Sequence, residues 1–171
     1  MVVVGTSGAG KSRFASRLAR ATGARHIELD AFKHGPNWTE RSQEEMRRRT
    51  AEAIGAADTW VVDGNYTEVR DVVWPRATTL VWLDYSKPLV MSRIIRRSLG
   101  RVVMRTELWN GNRSDWRRWG DPTHPIRWAW STHAYNRVRY ESVTALPEWS
   151  HLEVVRLRRP REARALLFLN G

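Results

Sequence analysis

Met1-Val-Val-Val-Gly5-Thr-Ser-Gly-Ala-Gly10-Lys11-Ser12 is the stretch that decides the fold. Its first four residues are continuously apolar, the pattern of a short strand buried on both faces of a parallel sheet. Gly5, Thr6, Ser7, Gly8, Ala9, Gly10, Lys11 and Ser12 then match G-x-x-x-x-G-K-[ST] at every position. Glycines let the backbone turn tightly, so that successive N–H groups face one anion. A lysine at the seventh position reaches the β- and γ-phosphates of a nucleotide, and a hydroxyl at the eighth can ligate Mg²⁺. Residues 11–22 place Phe14, Ala15, Leu18 and Ala19 on one helical face, which directs the positive helix end at the same anion. A strand before the loop and a helix after it are the context that separates this motif from a chance glycine-rich turn. The implied ligands are ATP and Mg²⁺.

Outward from that loop, strand and helix alternate. Strands are expected at His26–Leu29, Thr59–Val62, Thr79–Leu83 and His151–Leu157, the first three ending at Asp30, Asp63 and Asp84. Helices are expected from Ser42 to Ala57, with Ser42 and Glu45 as a capping box, from Ser86-Lys87-Pro88 to a stop at Gly100, and from Pro160 to the end. Five strands alternating with helices predict an α/β fold: a three-layer P-loop NTPase sandwich with a five-stranded parallel sheet. Residues 101–146 break the alternation and read as an α-helical lid insertion. The domain expectation is one unit, 1–171, with a core of 1–100 and 147–171. The insertion holds five of the ten tryptophans (Trp109, Trp116, Trp119, Trp128 and Trp130), which read either as stacking platforms for bases or, preferably, as side chains buried against the sheet.

Composition narrows the classes. With no cysteine, thiol chemistry and Cys-based zinc sites are excluded. No apolar run approaches the ~20 residues of a membrane span and no export signal is visible, so the expected address is cytoplasmic, without membrane contact. The net charge is +11, nearly all of it from arginine. Residues 93–139 hold eleven arginines against Glu107, Asp115 and Asp121, a local charge of +8. Such a cluster attracts a nucleotide, a phosphorylated substrate or a nucleic acid.

Ligands of open parallel sheets collect at the carboxyl ends of strands. Asp63 is the strongest acidic candidate, for Mg²⁺ or its water shell and for catalysis, because Gly64 after it would let backbone approach a ligand. Asp30 reads equally as a contact to substrate or metal and as a turn cap, and Asp84 reads as a turn residue. Arg93, Arg96 and Arg97 share a broad helical face, and at least one of them is expected to neutralise phosphoryl charge. In the insertion, Glu107-Leu-Trp-Asn-Gly-Asn-Arg113 mixes charge, amides and glycine as binding loops do, and Arg105 and Arg113 are expected to grip phosphates or acceptor. Histidines 26, 34, 124, 133 and 151 show no ligand spacing.

On these residues the chain resembles adenylate-kinase-like P-loop kinases, through the phosphate loop, Trp60-Val-Val-Asp63-Gly64 and Arg93-Ile-Ile-Arg96-Arg97. The resemblance implies an ATP-dependent phosphotransferase, with Arg93 beside the adenine and Arg97 at the phosphates. A closer likeness, carried by Leu29-Asp30, Gly35-Pro-Asn-Trp38, Asp63-Gly-Asn-Tyr66 and Glu107–Arg113, is to the FlaR-like (DNA topology modulation) subgroup. Adenylate kinases follow Asp-Gly with Phe-Pro-Arg where this chain has Asn65-Tyr66, a departure that argues against AMP as the acceptor. The surroundings of Asp30 look more like small-metabolite kinases such as shikimate kinase, which implies a base or Mg²⁺ contact there. The expected catalytic set is therefore Lys11, Asp30, Asp63, Arg97 and Arg113, acting on ATP and a small phosphoryl acceptor. A nucleic-acid-associated ATPase is the alternative.

Overall fold

Val2–Gly5 forms strand β1 at the centre of the sheet, with Val2, Val3 and Val4 at most 2% exposed. The structure, a computed structural model, describes residues 1–103, 109–111 and 124–169. β2 (Arg25–Glu28), β3 (Trp60–Asp63), β4 (Thr79–Leu83) and β5 (Glu153–Leu157) complete one parallel sheet in the order β2-β3-β1-β4-β5. The chain winds from β1 out to β2, back to β3, then across to β4 and β5. The carboxyl end of β1 thus lies where the winding reverses, the place at which open α/β sheets form their ligand crevice.

Because alternate strand residues point to opposite faces, β1 feeds two cores. Val2 and Val4, with Val62, Leu80 and Trp82, pack beneath α3 (Gln43–Gly55), where Met46 and Ile54 are fully buried. Val3, with Val61, Val81 and Leu83, packs against Phe14, Ala15 and Leu18 of α1 (Lys11–Ala21). Two short helices, α2 (Leu29–Lys33) and α4 (Arg70–Val73), follow β2 and β3. Helix α5 (Lys87–Val103) joins the second core through Val90 and Ile94, and α7 (Pro160–Leu169) through Ala163. Helix α6 (Pro125–Thr144), from the segment expected to lie over the sheet, serves both cores: Ala129 packs with the α1 side, Tyr140 and Val143 with the α3 side.

Several expectations change. The helix expected to stop at Gly100 continues to Val103, because Gly100 there takes ordinary helical backbone and serves as no cap. Ser42 caps α3 by accepting the Glu45 N–H (3.1 Å), but the Glu45 carboxylate turns away to Arg48 and Arg49 rather than closing a reciprocal box. Trp128 and Trp130 are 54% and 60% exposed, not buried against the sheet. The core tryptophans are instead Trp60, Trp74, Trp82 and Trp149, and Trp74 meets Trp149 edge-on at 5.1 Å. Asp30 lies in the first turn of α2 rather than on a strand end. Among the described residues no helix is long and apolar enough to cross a membrane.

Candidate functional site

The loop from Gly5 to Ser12 leaves the carboxyl end of β1 and is held from three sides. Gly5, at φ 144°, lies against β4, where a Cβ would come within 2.6 Å of the Leu83 carbonyl oxygen. Gly8, at φ 91°, packs on α5, where a Cβ would meet Ile94 Cβ at 2.9 Å and Val90 O at 3.0 Å. Between them Thr6 is buried and Ser7 half-buried, and the Thr6 carbonyl accepts the Ala9 N–H (3.0 Å) to close a turn. Gly10, at φ 95°, is the α1 N-cap and makes no side-chain cap, and the first turn of α1 contains no acid. The N–H groups that open α1 thus keep both their dipole and their hydrogen-bonding capacity for an anion, the property that fits this loop to phosphate.

Around the loop the side chains converge. Lys11 Nζ donates to the Gly5 carbonyl (2.9 Å). Desolvation pushes the Lys11 ammonium below the ordinary lysine range; Asp30, Asp63 and Glu28 pull the other way, and Arg97 adds to the lowering. This pattern puts Asp30, Asp63 and Arg97 in the electrostatic reach of Lys11. Ser12 Oγ donates to Asp63 Oδ1 (2.9 Å), so the two expected Mg²⁺ ligands already face each other. Asp63 is 2% exposed, and its Oδ2 lies 2.6 Å from His26 Nε2. Among the described residues no group of three or more His, Asp or Glu side chains could hold a metal by itself. Mg²⁺ does not need one, since it takes one or two protein oxygens and completes its shell with water and substrate phosphates.

Arg93 Nη1 donates to the Ala9 carbonyl (3.0 Å), with its guanidinium carbon 5.1 Å from the centre of the Tyr85 ring. Arg96 and Arg97 are exposed on the same helix. Asp30 Oδ1 accepts the Tyr66 hydroxyl proton (2.7 Å), and burial, followed by the Asp30 charge, drives the Tyr66 phenol far above its ordinary range. Tyr66 is therefore a permanent donor to Asp30. Asp84 does not join this set. Its buried carboxylate is occupied by Arg137 Nε (2.9 Å) and by Arg156 through Nε (2.9 Å) and Nη2 (2.6 Å), which ties α6 and β5 to the end of β4. Arg105 and Arg113 lie outside the described residues.

Gly64 serves differently from the expectation. At φ 146° its open side is filled by Leu29, whose Cβ would stand 2.8 Å from an added methyl, so the glycine permits strand-end packing rather than approach to a ligand. Asn65, which the sequence marks only through the family likeness and its departure from it, takes a definite place here. Its Oδ1 accepts the Gly5 N–H (3.1 Å) and its Nδ2 donates to the Gly5 carbonyl (2.6 Å), while Tyr140 OH donates to Oδ1 (2.9 Å). The amide thus clamps Gly5, through the peptide groups on both sides of it, to the β3 exit and to α6. Next to it opens a cleft lined by Tyr66, Arg70, Trp74, Arg139 and Tyr140. Only the adjacency of Asn65 and Tyr66 to Asp63-Gly64 hinted at this side of the site.

No protein-family model and no curated protein matches the chain. Solved structures share its fold. A sugar kinase from Janibacter sp. HTCC2649 in its unliganded form aligns with a TM-score of 0.50 and 21% identity over 98% of this chain and 92% of that one. A shikimate kinase from Bacteroides thetaiotaomicron aligns with a TM-score of 0.51 and 11% identity over 98% and 93%. At these identities the likeness is one of fold: the chain has a P-loop kinase-like fold.

Proposed function

We propose that the chain is an ATP-dependent phosphotransferase that moves the γ-phosphoryl group of ATP to a hydroxyl of a small acceptor. The observation that carries this reading is the Ser12–Asp63 contact at 2.9 Å beside an uncapped α1 and a desolvated Lys11. Ser12 and Asp63 would hold Mg²⁺, which supplies charge neutralisation across the β- and γ-phosphates. Lys11 exchanges its bond to the Gly5 carbonyl for phosphate oxygens, and Arg97 adds a second cation on the same side. Arg93, stacked on Tyr85 and bonded to the loop, forms the wall for the base. The acceptor oxygen attacks the γ-phosphorus, the bond to the ADP oxygen breaks, and the hydroxyl proton passes to the Asp30 carboxylate that Tyr66 orients. Positioning and charge neutralisation do most of the catalytic work in such a transfer.

The likeness to the FlaR-like subgroup fits this reading, since its shared residues have structural duties here. Asn37 and Trp38 take left-handed backbone, at φ 55° and 57°, in the turn after α2, and Asn65 clamps the loop. The whole chain would act as one cytoplasmic catalytic domain, with Arg113 as a further grip on phosphate or acceptor.

The test is Mg²⁺-dependent ADP release over a panel of nucleoside monophosphates, nucleosides and small hydroxylated metabolites. One acceptor class should raise the rate, Lys11→Ala should abolish it, and Asp30→Asn should abolish transfer while ADP still binds. Loss of ADP binding in Asp30→Asn would remove Asp30 from the base role. A rate moved by no acceptor but raised by duplex DNA would replace this reading with a nucleic-acid-linked ATPase.

A further inference from the structure

Two buried carboxylates flank β1, Asp63 at the end of β3 and Asp84 just past the end of β4, and they are held in different ways. Guanidiniums take both oxygens of Asp84: Arg137 Nε donates to Oδ1 (2.9 Å), and Arg156 donates to Oδ2 through Nε (2.9 Å) and Nη2 (2.6 Å). That carboxylate is closed. Asp63 instead meets a hydroxyl and an imidazole, Ser12 Oγ at Oδ1 (2.9 Å) and His26 Nε2 at Oδ2 (2.6 Å). A carboxylate only accepts, so the second bond runs from the His26 Nε2–H. His26 reaches it from the edge strand β2, where it stands opposite Val61 with its side chain 25% exposed against 2% for Asp63. Three elements, α1, β2 and β3, thus set the orientation of one carboxyl group.

We propose that His26 is a positioning residue for the metal. Its Nε2–H holds Oδ2 of Asp63 so that Oδ1 stays turned toward Ser12, where the two oxygens would meet Mg²⁺, a role that rests on the phosphotransferase reading above and deepens it. The terminal torsion of an aspartate is broad and two-fold, so the rotamer of Asp63 alone leaves its carboxylate free to turn. Bonds at both oxygens remove that freedom, since a turn that keeps one breaks the other. Mg²⁺ demands near-ideal octahedral geometry, so a carboxylate already aimed binds it better than one left to rotate. Partners that orient a ligating group without touching the metal typically carry about 10- to 100-fold in metal affinity. The competing pull comes from Lys11, in whose electrostatic reach Asp63 lies. Held by His26, the carboxylate leaves Lys11 to the phosphates; released, it has a cation to turn to. An arginine in place of His26 would also hold the carboxylate, but would close it as Asp84 is closed.

The experiment is calorimetric titration of the full chain with ADP, once with Mg²⁺ and once in a chelator, and the quantity read is the ratio of the two affinities. His26→Ala removes the donor. His26→Asn keeps an amide that stands at the Nδ1 position and stops short of Asp63, whereas His26→Gln carries its amide nitrogen to where Nε2 stands. Ala and Asn should each lower the ratio about tenfold or bring it to one, and Gln should keep it within about threefold of the parent. Metal-free ADP affinity should stay within about threefold in all three, because the loop N–H groups and Lys11 are untouched. Melting temperatures taken alongside separate a merely structural histidine, which would lower stability in Ala and Asn and leave the ratio alone. A ratio unchanged in Ala and Asn, or lowered as far in Gln as in Asn, overturns the role of His26. Should Ala fail to fold, the contrast of Asn with Gln decides by itself. A parent that gains nothing from Mg²⁺ overturns the phosphotransferase reading and the role of His26 with it, whereas a parent gain that ignores His26 overturns only the latter.

Discussion

Replacing Asn65 by alanine tests whether the phosphate loop is held from outside. The amide makes three hydrogen bonds: from the Gly5 N–H (3.1 Å), to the Gly5 carbonyl (2.6 Å) and from Tyr140 OH (2.9 Å). After truncation the Gly5 carbonyl keeps Lys11 Nζ at 2.9 Å, but the Gly5 N–H and the Tyr140 hydroxyl, on a residue 1% exposed, lose the partner shown here. Two orphaned donors at about 1–3 kcal/mol each, discounted for water entering the space the amide leaves, give a loss of about 2–4 kcal/mol. For a domain of this size that lowers the melting temperature by roughly 5–15 °C. Urea unfolding measures the stability, and calorimetry should show ADP binding weakened by about tenfold or more as the loop loses its preorganisation. Combined with Tyr140→Phe, the pair should show a coupling of about 1 kcal/mol, because both substitutions remove the same bond. Asn65→Asp keeps the two acceptor contacts but sets a negative charge beside the phosphates, so ADP affinity should fall further than stability does. A stability within about 0.5 kcal/mol of the parent, with unchanged ADP affinity, is what a surface substitution gives and would refute the clamp.

Three further outcomes follow from other contacts. The parent should bind Mg-ADP at least about tenfold more tightly than ADP in a chelator, and Ser12→Ala or Asp63→Asn should collapse that ratio towards one, since Mg²⁺ keeps few protein ligands to lose. Asp84→Ala takes its carboxylate from Arg137 and leaves Arg156 with Glu141 alone, and because the two arginine side chains are 42% and 25% exposed the loss should sit near the lower end, about 2–3 kcal/mol by urea unfolding. Arg47 holds the Asp71 carboxyl below the ordinary carboxylate range, so the stability from this exposed pair is present above pH ~4 and lost as pH falls through the lowered value; Asp71→Asn should flatten the acid limb of a stability–pH curve.

The half of the candidate site proposed to grip a nucleotide was legible because its requirements are local. Eight consecutive residues set the turn, the lysine and the hydroxyl, and the same valines that predict β1 place them at its carboxyl end. Asp63 followed from a strand ending beside that loop. His26 did not, although its partner was known. It stands opposite Val61 in the β2–β3 register, which puts Asp63 two residues on and on the same face, and the register that joins these two residues, 37 positions apart, is not written in either strand. Gly100 misled as a helix stop because glycine's cost in a helix, about 1 kcal/mol, is one that packing can override; buried Ile94 and Ser98 sit in the turns before it. Trp128 and Trp130 misled because size favours burial only where a core faces the helix stripe that carries them, and theirs faces outward, with Lys87 Nζ 3.6 Å above the Trp130 ring.

The roles of the arginines resisted for a different reason. Arginine is so abundant here that its presence carries little information, and the class that matters is defined by what each one faces. Arg156 and Arg70 read alike in sequence: each directly follows a valine and has further apolar residues within three positions. In the fold, Arg156 lies over Trp82 at 4.1 Å and meets Asp84 and Glu141, whereas Arg70 lies over Trp74 and meets Arg139. The first guanidinium is closed by acids; the second, among the described residues, is not. Arg70 and Arg139 are 69 positions apart, brought to one cleft because α4 and α6 both pack into the core on the α3 side of the sheet. Ion pairs between described residues neutralise Arg47, Arg48, Arg49, Arg137 and Arg156, a minority of the chain's arginines, so which of them are closed by an acid is decided by the packing and not by the composition.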